Sequence, residues 1–142
     1  MKNPYVNPKD LLGINKVPLH LIPPVALMHE AMAMWTGAAK YGPYNWRENN
    51  VVASIYVAAA QRHLSLWFDG EEFAGDGVHH LGHVRACLGI ILDAMAGGNL
   101  IDDRPPKGAS PKVMADYNRM LKYCNDAKTI DWEEAHGEYT NI

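Results

Sequence analysis

Cysteine is scarce in this chain: Cys87 and Cys124 are the two there are, they fall on separate predicted helices, and they form no CxxC. So little thiol excludes a disulfide framework and reads as a reducing compartment. Long hydrophobic runs are missing too. No stretch approaches the roughly 18 apolar residues that a membrane span needs, and no apolar signal core follows Met1 and Lys2. The expectation is a cytoplasmic protein with no membrane partner. Positive charge is not in excess: 13 Lys and Arg stand against 16 Asp and Glu, for a net charge of -3. Without a basic stripe or an Arg-rich arm, a nucleic-acid-binding role is excluded. A polyphosphate ligand would then need metal ions to offset its charge. Nothing alternates with period two over a strand's length, and there is no internal repeat or low-complexity run. What remains is an all-α chain of 142 residues, 48% apolar, expected to form a single domain over 1–142.

The chemistry concentrates in residues 61–83, QRHLSLWFDGEEFAGDGVHHLGH, which hold four of the seven histidines. Glycines at 70, 75 and 77 break the segment into helix, loop and helix. The loop acids Glu71, Glu72 and Asp76 would then lie beside histidines of both flanking helices. Carboxylate oxygens with imidazoles nearby suit Mg²⁺, or Mn²⁺, which accepts both ligand types.

Around this segment the expected architecture is a four-helix bundle with an extended N-terminal arm over residues 1–22. The arm carries Pro4, Pro8 and Pro18 and is too apolar for a free tail. Pro23 and Pro24 open the first helix, and Gly42 ends it. Val25, Met28, Met32, Trp35 and Ala39 form a helical stripe on it, read as core. Glu30 lies off that stripe, either on a solvated face or as an accessory carboxylate. The turn KYGPYNWR follows, where Lys40 and Arg47 could hold phosphate oxygens and Tyr41, Tyr44 and Trp46 could stack on a base, with Asn45 in reach of base or sugar. A folded loop plugging one end of the bundle explains the same residues. Asn49 or Asn50 would cap the second helix, which puts Arg62 and His63 toward the acidic loop. The third helix covers residues 78–96, with His80, His83 and Cys87 on one face and His79 exposed. Ser110 and Pro111 start the fourth, and residues 128–142 read as a polar tail.

Six blocks in this order resemble a known family: Leu21-Ile22-Pro23-Pro24; Gly37 to Gly42; Asn45-Trp46-Arg47; Arg62-His63-Leu64 with Trp67; Gly70-Glu71; and His80-Leu81-Gly82-His83. The chain resembles, from about residue 18 to residue 105, the phage dATP/dGTP diphosphohydrolase domain of the MazG-like all-α pyrophosphohydrolase superfamily. It is most similar to the MazZ-type enzymes of phages that carry 2-aminoadenine. The resemblance implies hydrolysis of dGTP or dATP to the monophosphate and pyrophosphate, with two or more Mg²⁺ or Mn²⁺ ions per site. It also implies a homo-oligomer, a dimer or tetramer. Carried over, Glu71 matches the carboxylate after the family's Trp and Gly, and His80 and His83 match its HLxH pair. The loop departs from the family pattern, having Ala74 and Gly75 where acids are usual, which leaves Asp76 and Glu72 as the loop carboxylates. The metal set is therefore Glu71, Glu72, Asp76, His80 and His83, with Glu71, Asp76 and His80 catalytic. Lys40, Asn45, Trp46, Arg47, Arg62 and His63 would bind substrate. Rival readings are a helical interaction module and a structural zinc at His80, His83 and Cys87. An HD-type phosphohydrolase needs a His-Asp dipeptide, which is absent.

Overall fold

The computed structural model describes residues 7–126; the expected polar tail at 128–142 lies outside the described residues. The protein is mostly helical, and the all-α expectation holds. It divides into two compact units, Met1–Arg104 and Pro105–Ile142.

In the first unit three long helices carry the structure: α2 (Pro24–Tyr41), α4 (Ala53–Phe68) and α5 (His80–Gly97), with α5 packed against both others. The fourth helix of the expected bundle, α6 (Ser110–Asp126), belongs to the second unit. That helix is amphipathic and held along one side by the pairs of Asp116 with Lys112 and Arg119. The N-terminal arm is not extended throughout. Asn7 accepts a hydrogen bond from the Lys9 N–H, and this cap opens the short α1 (Pro8–Gly13), followed by a single 3-10 turn over Leu19–Leu21.

Two short strands also form, β1 (Val51–Val52) and β2 (Leu100–Ile101), paired in parallel with Val51 opposite Leu100. Two residues are too few to show a period of two, so the sequence carried no sign of them. Because Val51 and Val52 are spent on β1, α4 starts at Ala53 and neither Asn49 nor Asn50 caps it. Asp103 does that work from the far end of the unit. Its carboxylate accepts from the Ser54 N–H at 2.9 Å and from the Ser54 hydroxyl, satisfying a donor that the helix itself leaves open.

The core is built from small side chains. Ala33, Ala53, Ala60, Ala86 and Ala94 are buried, with Val51 and Val78. Small residues let the helices approach closely, and Gly82 shows how closely: a Cβ there would lie 2.4 Å from the His29 carbonyl oxygen. The stripe of Val25, Met28, Met32, Trp35 and Ala39, expected as core, is exposed in the chain, with Trp35 at 65%. The buried or half-buried face of α2 is instead Ala26, His29, Glu30, Ala33 and Gly37. Both stripes have the helical period, and period alone does not say which one meets a neighbour. Leu88, Leu92 and Met95 of α5, expected as apolar contacts, are likewise exposed.

Candidate active site

Between the ends of α2, α4 and α5 lies a cavity of about 540 Å³, lined by Lys40, Tyr41, Ile55, Tyr56, Ala59, His63, Ala74, Gly75, Asp76, His83 and Cys87. Helix spacing explains much of this. Ile55, Tyr56, Ala59 and His63 follow one face of α4, and His83 and Cys87 stand a turn apart on α5.

The acid reaches the cavity through the loop that joins α4 to α5. Gly70 takes a φ of +100°, and the Glu71 N–H turns back to the Leu66 carbonyl at 3.0 Å, closing α4. The loop then folds on itself: the Ala74 N–H donates to Val78 O, and the His80 N–H donates to Glu72 O, both at 2.9 Å. Within it the Asp76 carboxylate accepts from the Val78 N–H at 3.1 Å and from His83 Nε2 at 3.2 Å, with Lys40 Nζ at 3.8 Å. Burial works to raise the Asp76 pKa, but these hydrogen bonds and the lysine outweigh it and hold the acid below its ordinary value.

Three imidazoles meet beside it. His63 stacks on His83 with ring centroids 4.4 Å apart, and its Nδ1 lies 2.7 Å from Nδ1 of His80. Burial lowers the His63 pKa, with the two neighbouring histidines adding to the effect. His80 is buried behind His63, 1% exposed, and its Nε2 faces Glu71 Oε1 at 3.3 Å without hydrogen-bond geometry. Tyr56 and Cys87, each with its pKa raised by burial, complete the lining.

The expected site residues therefore part into groups. Lys40, His63, Asp76 and His83 line the cavity together. Glu71 and His80 stand behind His63, and Glu72 meets the site through its backbone oxygen. Arg62 is exposed and does not line the cavity, although its charge acts on His63 and Cys87. Trp46 and Arg47 go elsewhere. Trp46 Nε1 donates to Asp93 Oδ2 at 2.7 Å, and Arg47 forms a two-point pair with the same carboxylate at 2.8 and 3.0 Å. Asn45 opens the short α3 (Asn45–Glu48), where its carbonyl accepts from Asn49. Glu30 is held by Arg85 at 2.8 Å. His79 is not exposed: its Nδ1 caps α5 through the Leu81 N–H, and its ring packs on His29 and Phe73.

Sequence reading missed Asp93, the acid that α5 carries in an otherwise apolar run, and that isolation was the available signal. Ile55, Tyr56 and Ala59 were missed because they look like any helix face.

As a protein-only cage the donors do not suffice for a metal ion. Among the described residues no group of three or more His, Cys, Asp or Glu stands ready to hold one, and this covers the His80, His83 and Cys87 trio that a structural zinc would use. Asp76 and His83 are a pair of donors already in contact with each other. No helix among the described residues is long and apolar enough to cross a membrane.

Residues 6–104 match the family model described as dATP/dGTP diphosphohydrolase, N-terminal, a span that ends where the first compact unit ends. No curated protein and no solved structure matches the chain.

Proposed function

This chain belongs to the dATP/dGTP diphosphohydrolase N-terminal family, and we propose that it hydrolyses a purine deoxynucleoside triphosphate, dGTP ahead of dATP, to the monophosphate and pyrophosphate. The observation that carries this reading is the mixed lining of the cavity. Tyr41, Ile55, Tyr56 and Ala59 give it aromatic and aliphatic surface, and Lys40, His63, Asp76 and His83 give it polar surface. A nucleotide has the same division, a flat base and a charged tail, and the volume of about 540 Å³ falls in the range of small-molecule sites. In this reading the base lies against the tyrosines and the triphosphate meets Lys40.

Among the described residues Lys40 is the one lysine or arginine in the lining, too little charge for a triphosphate by itself. The substrate is therefore the Mg²⁺ or Mn²⁺ complex of the nucleotide. Mg²⁺ needs only one or two protein carboxylates when phosphate oxygens and water fill its other positions, which suits Asp76 better than a closed cage would. Such an ion neutralises charge on the phosphates and on the leaving pyrophosphate. Asp76, kept ionised by its hydrogen bonds, supports this role. The preference for dGTP rests on the MazZ-type resemblance, since a 2-amino purine for DNA starts from the guanine nucleotide. The role that follows is supply of modified-purine DNA synthesis in a phage, in the host cytoplasm.

The test is incubation with each dNTP and Mg²⁺ or Mn²⁺, followed by separation of products and kcat/KM for each. Monophosphate with pyrophosphate is expected, from dGTP first. Diphosphate with phosphate contradicts the cleavage position. A pyrimidine turned over as fast as dGTP removes the purine assignment.

A further inference from the structure

The four polar side chains of the cavity form one connected cluster. Lys40 Nζ lies 3.8 Å from Asp76, His83 Nε2 lies 3.2 Å from the same carboxylate, and the His83 ring stacks on His63 at 4.4 Å. This cluster sits at the level of His63 on α4. The cavity continues along both helices away from it. His63 meets His80 and His83, whereas Tyr56, earlier on α4, shares the cavity with Cys87, later on α5, so the two helices run antiparallel. At about 1.5 Å of rise per residue, Ala59 stands about 6 Å and Tyr56 about 10.5 Å along α4 from His63, all three on one face. Charge comes first, then the single methyl group of Ala59, then the phenol. A nucleotide has the same order of phosphate, sugar and base.

Tyr56 is half-buried, and among the described residues its hydroxyl has no hydrogen-bond partner, yet it is not sealed from solvent. A polar group left open in a cavity is free to meet a ligand. Burial raises the phenol pKa above its ordinary value, so the O–H keeps its proton and can donate. Guanine and adenine share one acceptor on this edge, N7, whereas their 6-positions differ, an oxygen that accepts in one and an amino group that donates in the other. Pyrimidines have no N7. A donor placed for N7 therefore serves both purines and offers a pyrimidine nothing. We propose that Tyr56 is the residue that selects purines in this site, its hydroxyl donating to N7 of the base. The inference rests on the reaction proposed above and adds the group that reads the base.

Tyr56→Phe removes the hydroxyl and keeps the ring, and 7-deaza-dGTP removes the acceptor and keeps the purine. The test is kcat/KM of wild type and variant for dGTP, 7-deaza-dGTP and dTTP. For the wild type, 7-deaza-dGTP should be about 5- to 10-fold poorer than dGTP. Tyr56→Phe should lose about the same factor on dGTP, chiefly in KM, and should no longer distinguish dGTP from its 7-deaza form. Its preference for dGTP over dTTP should fall equally. A 7-deaza penalty that survives in Tyr56→Phe overturns the proposal, as does an unchanged ratio of dGTP to dTTP. Should the wild type release pyrophosphate from no dNTP, the proposed reaction falls, and calorimetric binding of dGTP and 7-deaza-dGTP to both proteins decides Tyr56 separately. The same factor, present in the wild type and lost in the variant, supports it; equal binding of the two nucleotides by the wild type, or none, overturns it.

Discussion

Asp76 is the acid of the cavity, and three groups hold it: the Val78 N–H, the His83 ring and Lys40. Asp76→Asn keeps the shape of the side chain and removes the charge that the proposed metal-nucleotide complex would meet. The expected outcome is a loss of about 10- to 100-fold in kcat/KM with little change in thermal midpoint, and activity within about threefold of wild type would take Asp76 out of the site. His63 should couple stability to pH. Its pKa lies below 6.5 in the folded protein, chiefly through burial, whereas the unfolded chain titrates near the ordinary value. Between those two values the unfolded state holds a proton that the native state does not, so stability rises with pH across that window. Taking the protein from about pH 7.5 to about pH 5.5 should therefore lower its Tm, and His63→Gln should flatten the fall. Parallel curves for the two proteins would assign the acid sensitivity to other groups.

At the scale of elements, close approach of α2 and α5 is set by one residue. A methyl group at Gly82 would meet the backbone of His29, which has no flexible end to move aside, so Gly82→Ala should cost about 1–3 kcal/mol or more. Gly37 provides the contrast. It lies inside α2, and an added methyl group would find no atom within 4 Å, so Gly37→Ala should stabilise by about 0.5–1 kcal/mol. Chemical denaturation of both variants checks the pair. The turn after α2 is tied down by Asp93, which takes Trp46 and Arg47 at once, while Asn99 donates to the Trp46 and Asn49 carbonyls. Asp93→Ala should lower Tm and slow turnover only as far as the displaced turn disturbs Lys40 and Tyr41. The ends of the long helices were legible in the sequence because their punctuation is local: Pro23 and Pro24 where α2 begins, Gly42 after it, and Gly97 and Gly98 where α5 ends. The start of α4 was not, because its cap comes from Asp103, 49 positions away from Ser54.

For the whole molecule, the apolar face of α2 leads to an expectation about assembly. Val25, Met28, Met32 and Trp35 are each more than half exposed in the single chain, and large side chains at helical spacing on an open surface mark an interface. A symmetric assembly of identical chains would cover them, so the expected state is a dimer or tetramer. Light scattering at micromolar concentration that returns the mass of one chain would end that expectation. Trp35→Glu should shift the assembled protein toward monomer, since it sets a charge in the middle of the stripe.

By itself the sequence determined the helical class, the helix ends marked by proline and glycine, and the gathering of His63, Asp76, His80 and His83 around one loop. These depend on chemistry within a few turns of chain, where spacing is close to geometry. Tertiary structure decided the rest. It chose which of two helical stripes on α2 packs, because a period does not carry a direction. It sent Arg47 and Trp46 to Asp93, a partner 46 and 47 positions away that local pattern does not reveal. It turned His80 inward and left His63 facing the cavity, though both are histidines within the same short segment, because burial of a side chain depends on what the other helices bring against it.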